Sequence, residues 1–307
     1  MRVVTLDLAR ALSGDFEGIV LADEPMSRHT TYRIGGPARY LVRADSLSSL
    51  ASATDACREL GVPWVVVGQG SNLLVSDDGF DGAVITLGSG FSACVYNEET
   101  GTFSAGASCR LSHVVREAHA HAREGFEFAV GTPGTLGGAL RMNAGTSRDY
   151  LGSRVISVTT LRPGAGLRRY NAADIEWEYR QSSLPFDEIV LECELASEPG
   201  DAEDIRARME SARSRRRKTQ PLSYPSCGSV FRNPEGASAA RLVESTGLKG
   251  ATCGGAQISD LHANFIINRS QARAVEVLAL IHAAQDAVRE RCGIELVPEV
   301  RFLGFTQ

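Results

Sequence analysis

The chemistry legible in this chain begins at Gly131–Gly145, GTPGTLGGALRMNAG, where five glycines stand among residues of which only Arg141 is charged. Glycine admits positive φ and lets main-chain N–H groups approach a ligand with no Cβ in the way, which is how a loop cradles phosphate oxygens. Pro133 fixes one turn, and Leu136, Ala139, Leu140 and Met142 supply a short apolar face that anchors the segment. A tight packing turn explains the same residues, since a glycine-rich string carries little without its flanking strand and helix. A second stretch, Gly68-Gln69-Gly70-Ser71-Asn72, interrupts an apolar run that starts at Trp64 and resumes at Leu73. A third, PLSYPSCGSVFRNPEG, holds Ser229, Arg232 and Asn233 among three prolines and two glycines. It follows the densest basic run in the chain, Arg213, Arg215, Arg216, Arg217 and Lys218. Cations at a helix C-terminus suit the helix dipole, but hydroxyl, guanidinium and amide beside them suit an anionic, polar small molecule.

Other candidates are weaker. Glu299 stands between Pro298 and Val300 in an apolar flank, so it must point to solvent or meet a cation or substrate; the residues alone favour solvent. His113, His119 and His121 invite a metal, yet histidines two apart share no helical face and no carboxylate or thiol completes a ligand set, so exposed histidines and no metal site are expected. Ser229, Asp260 and His262 could form a hydrolytic triad, but no GxSxG elbow presents the nucleophile.

These residues need elements to hold them. Residues 1–27 read as a lead-in helix, and HTTYRIGGPARYLVRA as a strand, a turn at Gly35-Gly36-Pro37 and a strand. Ser46 caps a helix with Leu47, Leu50, Thr54, Cys57 and Leu60 at helical spacing, stopped by Gly61. Trp64–Val67, Leu73–Val75, Ala83–Leu87 and Thr102–Ser108 read as strands, and Leu111–Ala122 as a helix with Val114, Val115 and Ala118 inward. Val155–Leu161 pairs with Leu167–Tyr170 across Pro163-Gly164, Glu188–Leu195 adds a strand, and Glu198-Pro199-Gly200-Asp201 marks a domain boundary. A helix over Ala202–Lys218, a helix over Ala237–Thr246, strand Asn264–Asn268, a helix over Ser270–Arg291 with Ala274, Leu278, Ile281 and Val288 buried, and a strand over Glu295–Leu303 complete the chain.

Composition agrees with a globular protein of about two domains: 307 residues, 43% apolar, 22% charged, net charge -5. That balance gives no pull toward nucleic acid. The seven cysteines are odd in number and form no CxxC pair, which argues for reduced thiols in the cytoplasm. MRVVTLDLARALSGDFEG carries acids and no sustained apolar region, so no secretory leader is expected, and no stretch has the length a membrane span needs.

Seven strings, TYRIGGPARYLV, VVVGQGSNLLVSDDGFDGAVI, FAVGTPGTLGGALRMNAG, YRQSSL, SCGSVFRNP, HANFIIN and GIELVPEVRFLG, taken in order and spacing across nearly the whole chain, resemble the UDP-N-acetylenolpyruvoylglucosamine reductase (MurB) family. The resemblance implies an α+β fold. Residues 1–200 (core 28–197, two α+β subdomains) would be an FAD-binding domain like that of the para-cresol methylhydroxylase and vanillyl-alcohol oxidase flavoproteins, and 201–307 an α+β substrate-binding domain. The short Arg180–Ser229 spacing leaves no room for the tyrosine-bearing loop of longer members, so the chain resembles the type II form.

The resemblance also implies roles. Gly68, Gln69, Gly70, Ser71 and Asn72, with Gly131, Thr132, Pro133, Gly134, Gly137, Gly138, Asn143, Ala144 and Gly145, would hold non-covalent FAD through backbone N–H groups. NADPH would reduce FAD, leave, and be replaced by UDP-N-acetylglucosamine enolpyruvate, which takes hydride at C3 and a proton at C2 to give UDP-N-acetylmuramate for peptidoglycan. Hydride addition builds enolate charge that a cation and a hydrogen-bond donor stabilise; Arg180 would be that cation, Glu299 the acidic partner, and Ser229 the proton donor to C2. Tyr179, Arg232, Asn233 and one of Arg217 or Lys218 would meet the substrate. Thr146–Tyr150 departs from the small residues common after NAG, which touches the edge of the flavin site. A monomer with no nucleic-acid or membrane partner is expected. A flavin oxidase would carry a different substrate domain and a tethering histidine or cysteine, and a non-catalytic nucleotide-binding module would need only the glycine loops.

Overall fold

The computed structural model describes residues 7–146 and 149–305. Two compact units emerge, neither continuous in sequence. One takes the described residues up to Ala22 with Tyr40–Gly68 and Gly82–Ser214; the other takes Asp23–Arg39, Gln69–Asp81 and the described residues from Arg215 onward.

The first unit has two apolar cores. One forms where helices α1 (Asp7–Ala11) and α2 (Leu47–Glu59) meet a four-stranded sheet ordered Gly18–Pro25, Pro37–Ala44, Phe80–Leu87, Trp64–Val66. Ser46 caps α2 as expected, its side chain accepting the Ser49 N–H, and Leu50, Ala53 and Cys57 are buried with Tyr40, Val42 and Ile85. The other core lies against a five-stranded antiparallel sheet ordered Gly166–Asn171, Val155–Arg162, Ile189–Ala196, Thr102–Gly106, Cys94–Asn97. Helix α3 (Leu111–Ala120) buries Val114, Val115 and Ala118, and α4 (Leu136–Arg141) buries Leu136, Ala139 and Leu140. The expected hairpin forms in register Leu167↔Leu161 and Tyr170↔Val158. Glu188 is buried here, accepting from Thr160 Oγ1 at 2.5 Å and Tyr170 OH at 3.0 Å, so two hydroxyls replace water around the carboxylate. Helix α5 (Ala202–Thr219) starts with Asp201 Oδ1 accepting the N–H groups of Glu203 and Asp204.

In the second unit, α6 (Ala239–Ser245) and α7 (Ala274–Cys292) accompany a three-stranded antiparallel sheet, Thr252–Cys253, Ala256–Ile258 and Ile266–Asn268. Tyr32, Ile34, Val230, Phe231, Val277, Ile281 and Leu296 are buried in its core. Leu73–Val75 pairs in parallel with Arg301–Leu303. Residues 69–81 are thereby drawn to the C-terminal strand, and Asp77 accepts the N–H groups of Ala274 and Val275 at 2.7 and 3.0 Å, capping α7 from 197 residues away. Asp77→Ala is expected to cost about 1–2 kcal/mol in a denaturant titration, the loss of a charged N-cap.

Several expectations are corrected. The lead-in helix is only α1, followed by strand Gly18–Pro25, and residues 1–6 lie outside the described ones. The two compact units part within α5, between Ser214 and Arg215, and residues 69–81 join the second through a parallel pairing of distant strands that leaves no local trace in a sequence. On α7 the buried stripe runs through Val277, Leu280 and Ala284, with Leu278 half-buried. No described helix is long and apolar enough to cross a membrane.

Candidate active site

Within the first unit, Arg180 sits at the tip of a two-residue hairpin: Trp177 pairs with Ser182 and Glu178 with Gln181, leaving Tyr179 and Arg180 as the turn. Arg180 has φ +60. A non-glycine residue in that left-handed region is costly by about 1–2 kcal/mol, so the surrounding structure must hold it there. Its Nη1 donates to the Gly145 carbonyl at 2.9 Å, and its guanidinium lies over the exposed Tyr179 ring, 5.3 Å from the centroid.

The glycine stretch that precedes it divides into amides that the fold uses and amides that it leaves open. Gly137 donates to Ala107 O at 2.9 Å, Gly138 to Thr135 Oγ1 at 3.4 Å, Thr132 to Ala129 O at 3.0 Å and Ala144 to Ala139 O at 2.8 Å. Those N–H groups are engaged within the chain, Gly138 and Ala144 at the two ends of α4, Gly137 on Ala107 and Thr132 on the turn that follows Glu127. The amides of Gly131, Thr135 and Gly68 have no acceptor among the described residues. Gly131 and Gly134 take φ of +73 and +119 about Pro133. A Cβ on Gly68 would stand 2.4 Å from Thr135 Oγ1, so that backbone lies directly against the cap of α4. Thr135 caps α4, its side chain accepting the Gly138 N–H, as a threonine before a helical turn signals. Asn143, expected at the cofactor, is only 5% exposed and has both polar side-chain atoms engaged inside the chain. After Gly145, Thr146 and Asp149 close a tight turn, Thr146 N–H to Asp149 O at 2.8 Å, while Ser147 and Arg148 lie outside the described residues.

In the second unit Ser229 and Glu299 come together. The Glu299 N–H donates to the Val230 carbonyl at 2.7 Å and Phe231 bridges Pro298, so the two residues are held on adjoining antiparallel segments. Asn264 fastens the first segment, its Oδ1 accepting from Phe231 N–H at 2.9 Å and its Nδ2 donating to Phe231 O at 2.8 Å. Asn72 fastens the second: its Nδ2 donates to Glu299 O at 3.0 Å and its carbonyl accepts the Arg301 N–H. Glu299 is half-buried, not turned out to solvent as its residues alone suggested. Ser229 is also half-buried, and its hydroxyl bonds no described group. Gly70 has φ +59, and the amides of Gly70 and Ser71 have no described acceptor.

Cys227 is two residues from Ser229 but chemically idle. Burial pushes its thiol up to about 12, and the negative charge of Glu299 adds to that. Cys227→Ala should leave turnover within about threefold and cost about 1 kcal/mol by thermal melting, a small cavity beside Tyr32.

The expected substrate contacts fare unequally. Arg232 is half-buried, its backbone N–H bonds Val297 O, and its Nε is buried with no acceptor, a donor suited to an anionic oxygen. Asn233 Oδ1 accepts the Ala239 N–H at 3.0 Å, which leaves its amide NH2 as the outward group. Arg217 and Lys218 are both exposed; the half-buried member of the run is Arg216, whose pKa burial holds below the usual guanidinium value. Of the three histidines only His121 is exposed, the other two being half-buried, and no described cluster of His, Cys, Asp and Glu could hold a metal.

Residues 38–168 match the FAD binding domain family, and 220–303 match the C-terminal domain of UDP-N-acetylenolpyruvoylglucosamine reductase. These matches give the class of protein, an FAD-binding oxidoreductase of α+β architecture. The UDP-N-acetylenolpyruvoylglucosamine reductase of Heliobacterium modesticaldum is 44% identical over 295 residues, spanning 95% of this chain and 93% of that protein. That of Alkalilimnicola ehrlichii is 44% identical over 286 residues, 92% and 94%. The crystal structure of MurB from Thermus caldophilus matches with a TM-score of 0.80 at 33% identity, covering 94% of this chain and 99% of that one. The chain belongs to the UDP-N-acetylenolpyruvoylglucosamine reductase family.

Proposed function

We propose that this protein reduces the enolpyruvyl ether of UDP-N-acetylglucosamine to UDP-N-acetylmuramate with NADPH, for peptidoglycan synthesis, and that it works as a cytoplasmic monomer without nucleic-acid or membrane partners. Bound FAD supplies a hydride relay from NADPH to C3 of the substrate. The chain's residues fit that cofactor: the open amides of Gly68, Gly131 and Thr135 in one unit, and of Gly70 and Ser71 in the other, offer N–H donors for phosphate and ring oxygens. Asn72 holds the Glu299 segment by its side chain and main chain, so its part is to shape the site.

Arg180 supplies the positive charge that stabilises the enolate developing on the substrate carboxylate. Ser229 delivers the proton to C2, which a weakly acidic hydroxyl can do only toward a strongly basic carbon within hydrogen-bond reach. Glu299 orients that step from the neighbouring segment. Arg232, the amide of Asn233 and the basic end of α5 take the sugar and diphosphate, with Tyr179 beside Arg180. The observation that carries this reading is the half-buried Ser229 hydroxyl, free of any described partner and fixed on the segment that pairs with Glu299.

An absorbance spectrum of the purified protein tests it in one cuvette. Flavin bands that bleach with NADPH under anaerobic conditions and return with the enolpyruvyl nucleotide support the activity. A protein that takes up no FAD, or whose bands stay bleached when substrate is added, rules it out.

A further inference from the structure

We infer that Asn143 is a positioning residue for Arg180: its side chain holds the carbonyl of Glu178, which enters the turn, while the Gly145 carbonyl holds the guanidinium. The inference rests on the reading of Arg180 as the substrate's cation. Arg180 occupies a strained conformation, φ +60, at the third position of a four-residue turn where glycine or asparagine is the usual occupant. Such a conformation persists only when the surroundings over-determine it.

The restraints converge from α4 and the loop after it. Asn143 Nδ2 donates to the carbonyl of Glu178, the residue that enters the turn, at 2.9 Å. Its Oδ1 accepts the Gly152 N–H at 2.9 Å, which fixes the side-chain amide from its other end. Gly152 in turn lies under the ring of Trp177, where a Cβ would stand 2.4 Å from the indole. On the exit side Ser182 Oγ donates to Arg141 O at 3.5 Å, and Arg141 Nη1 donates to Leu184 O at 2.6 Å. Gly145 O then takes the guanidinium of Arg180 itself. Asn143 is in the left-handed region too, φ +39, where asparagine is among the few side chains tolerated. That position therefore asks for a residue that accepts positive φ, donates to one carbonyl and accepts from one amide. Asparagine meets all three needs, aspartate lacks the donor, and glycine meets only the first.

The test uses Asn143→Gly, which keeps the backbone conformation, with Asn143→Asp as the second variant, in wild-type and Arg180→Ala backgrounds. In flavin-free protein, amides 178–182 of Asn143→Gly should exchange at least about tenfold faster with D2O, because the hairpin loses its tie to the loop after α4. In the FAD-loaded enzyme, Asn143→Gly should slow reoxidation by the enolpyruvyl nucleotide by about 10- to 100-fold, the effect of misplacing a charge by about 1 Å. It should do so with little change in substrate affinity, and should cost less than about threefold when Arg180 is already alanine. Asn143→Asp should resemble Asn143→Gly. Unchanged exchange at 178–182, or an equal loss in both backgrounds, overturns the positioning role. If Arg180→Ala alone leaves reoxidation unchanged, the catalytic reading of Arg180 fails and takes the inference with it.

Discussion

Ser229→Ala is expected to slow reoxidation of the reduced enzyme by the enolpyruvyl nucleotide by about 10²–10⁴-fold, the usual worth of a positioned proton donor, while reduction by NADPH stays nearly unchanged. The asymmetry follows from the chemistry: only addition to the enol ether requires a proton at carbon. The substitution removes one oxygen from a half-buried position whose hydroxyl bonds no described group, so no hydrogen bond of the fold is lost with it. The buried neighbours that carry the local core, Cys227, Val230 and Phe231, stay in place. No nearby thiol can substitute, since the Cys227 proton is held up to about 12 by burial. Stopped-flow absorbance measures the two half-reactions separately. Equal losses in both would show that Ser229 shapes the site without delivering a proton, and Ser229→Cys would then give no partial recovery of the second step.

What could be read from the residues was local. The cap Ser46, the Pro163-Gly164 hairpin and the inward face of α3 each depend on neighbours a few positions away, and each is where its pattern placed it. The glycine stretches were visible as loops for the same reason. What composition could not disclose is where each amide goes. The Gly137 amide goes to Ala107 O and the Gly138 amide to Thr135 Oγ1, partners that no glycine count can name. Pairing between distant strands leaves no periodicity to read, so the parallel union of Leu73–Val75 with Arg301–Leu303, and with it the membership of residues 69–81 in the second unit, was invisible. The left-handed turn at Arg180 was equally hidden, because nothing in YRQSS contains the glycine or asparagine that announces positive φ. Its restraint lies 37 residues earlier, in Asn143, whose side-chain amide is engaged at both ends inside the chain.

Gly70→Ala is expected to yield a folded protein that purifies with little or no FAD. Gly70 has φ +59, and a Cβ there would stand 2.4 Å from His29 O and 2.9 Å from Thr30 Cα. Neither atom can retreat cheaply: Thr30 Oγ1 donates to Ile34 O at 3.0 Å, Thr31 Oγ1 to Ser226 O at 2.8 Å, and the Met26 N–H to Gly36 O at 2.9 Å. The loop must give way instead, carrying the open amides of Gly70 and Ser71 off their present positions. A hydrogen bond to a charged group contributes about 1.5–3 kcal/mol, so losing two weakens FAD binding by about 3–6 kcal/mol, or about 10²–10⁴-fold in Kd. The fold is touched less, because alanine in the left-handed region costs about 1–2 kcal/mol. Calorimetric titration of the flavin-free variant with FAD, beside a thermal melt, separates the two effects. A Kd unchanged from the parent protein would mean that the loop from Gly68 to Asn72 only joins its strands, leaving the amides of Gly131 and Thr135 to hold the cofactor without it.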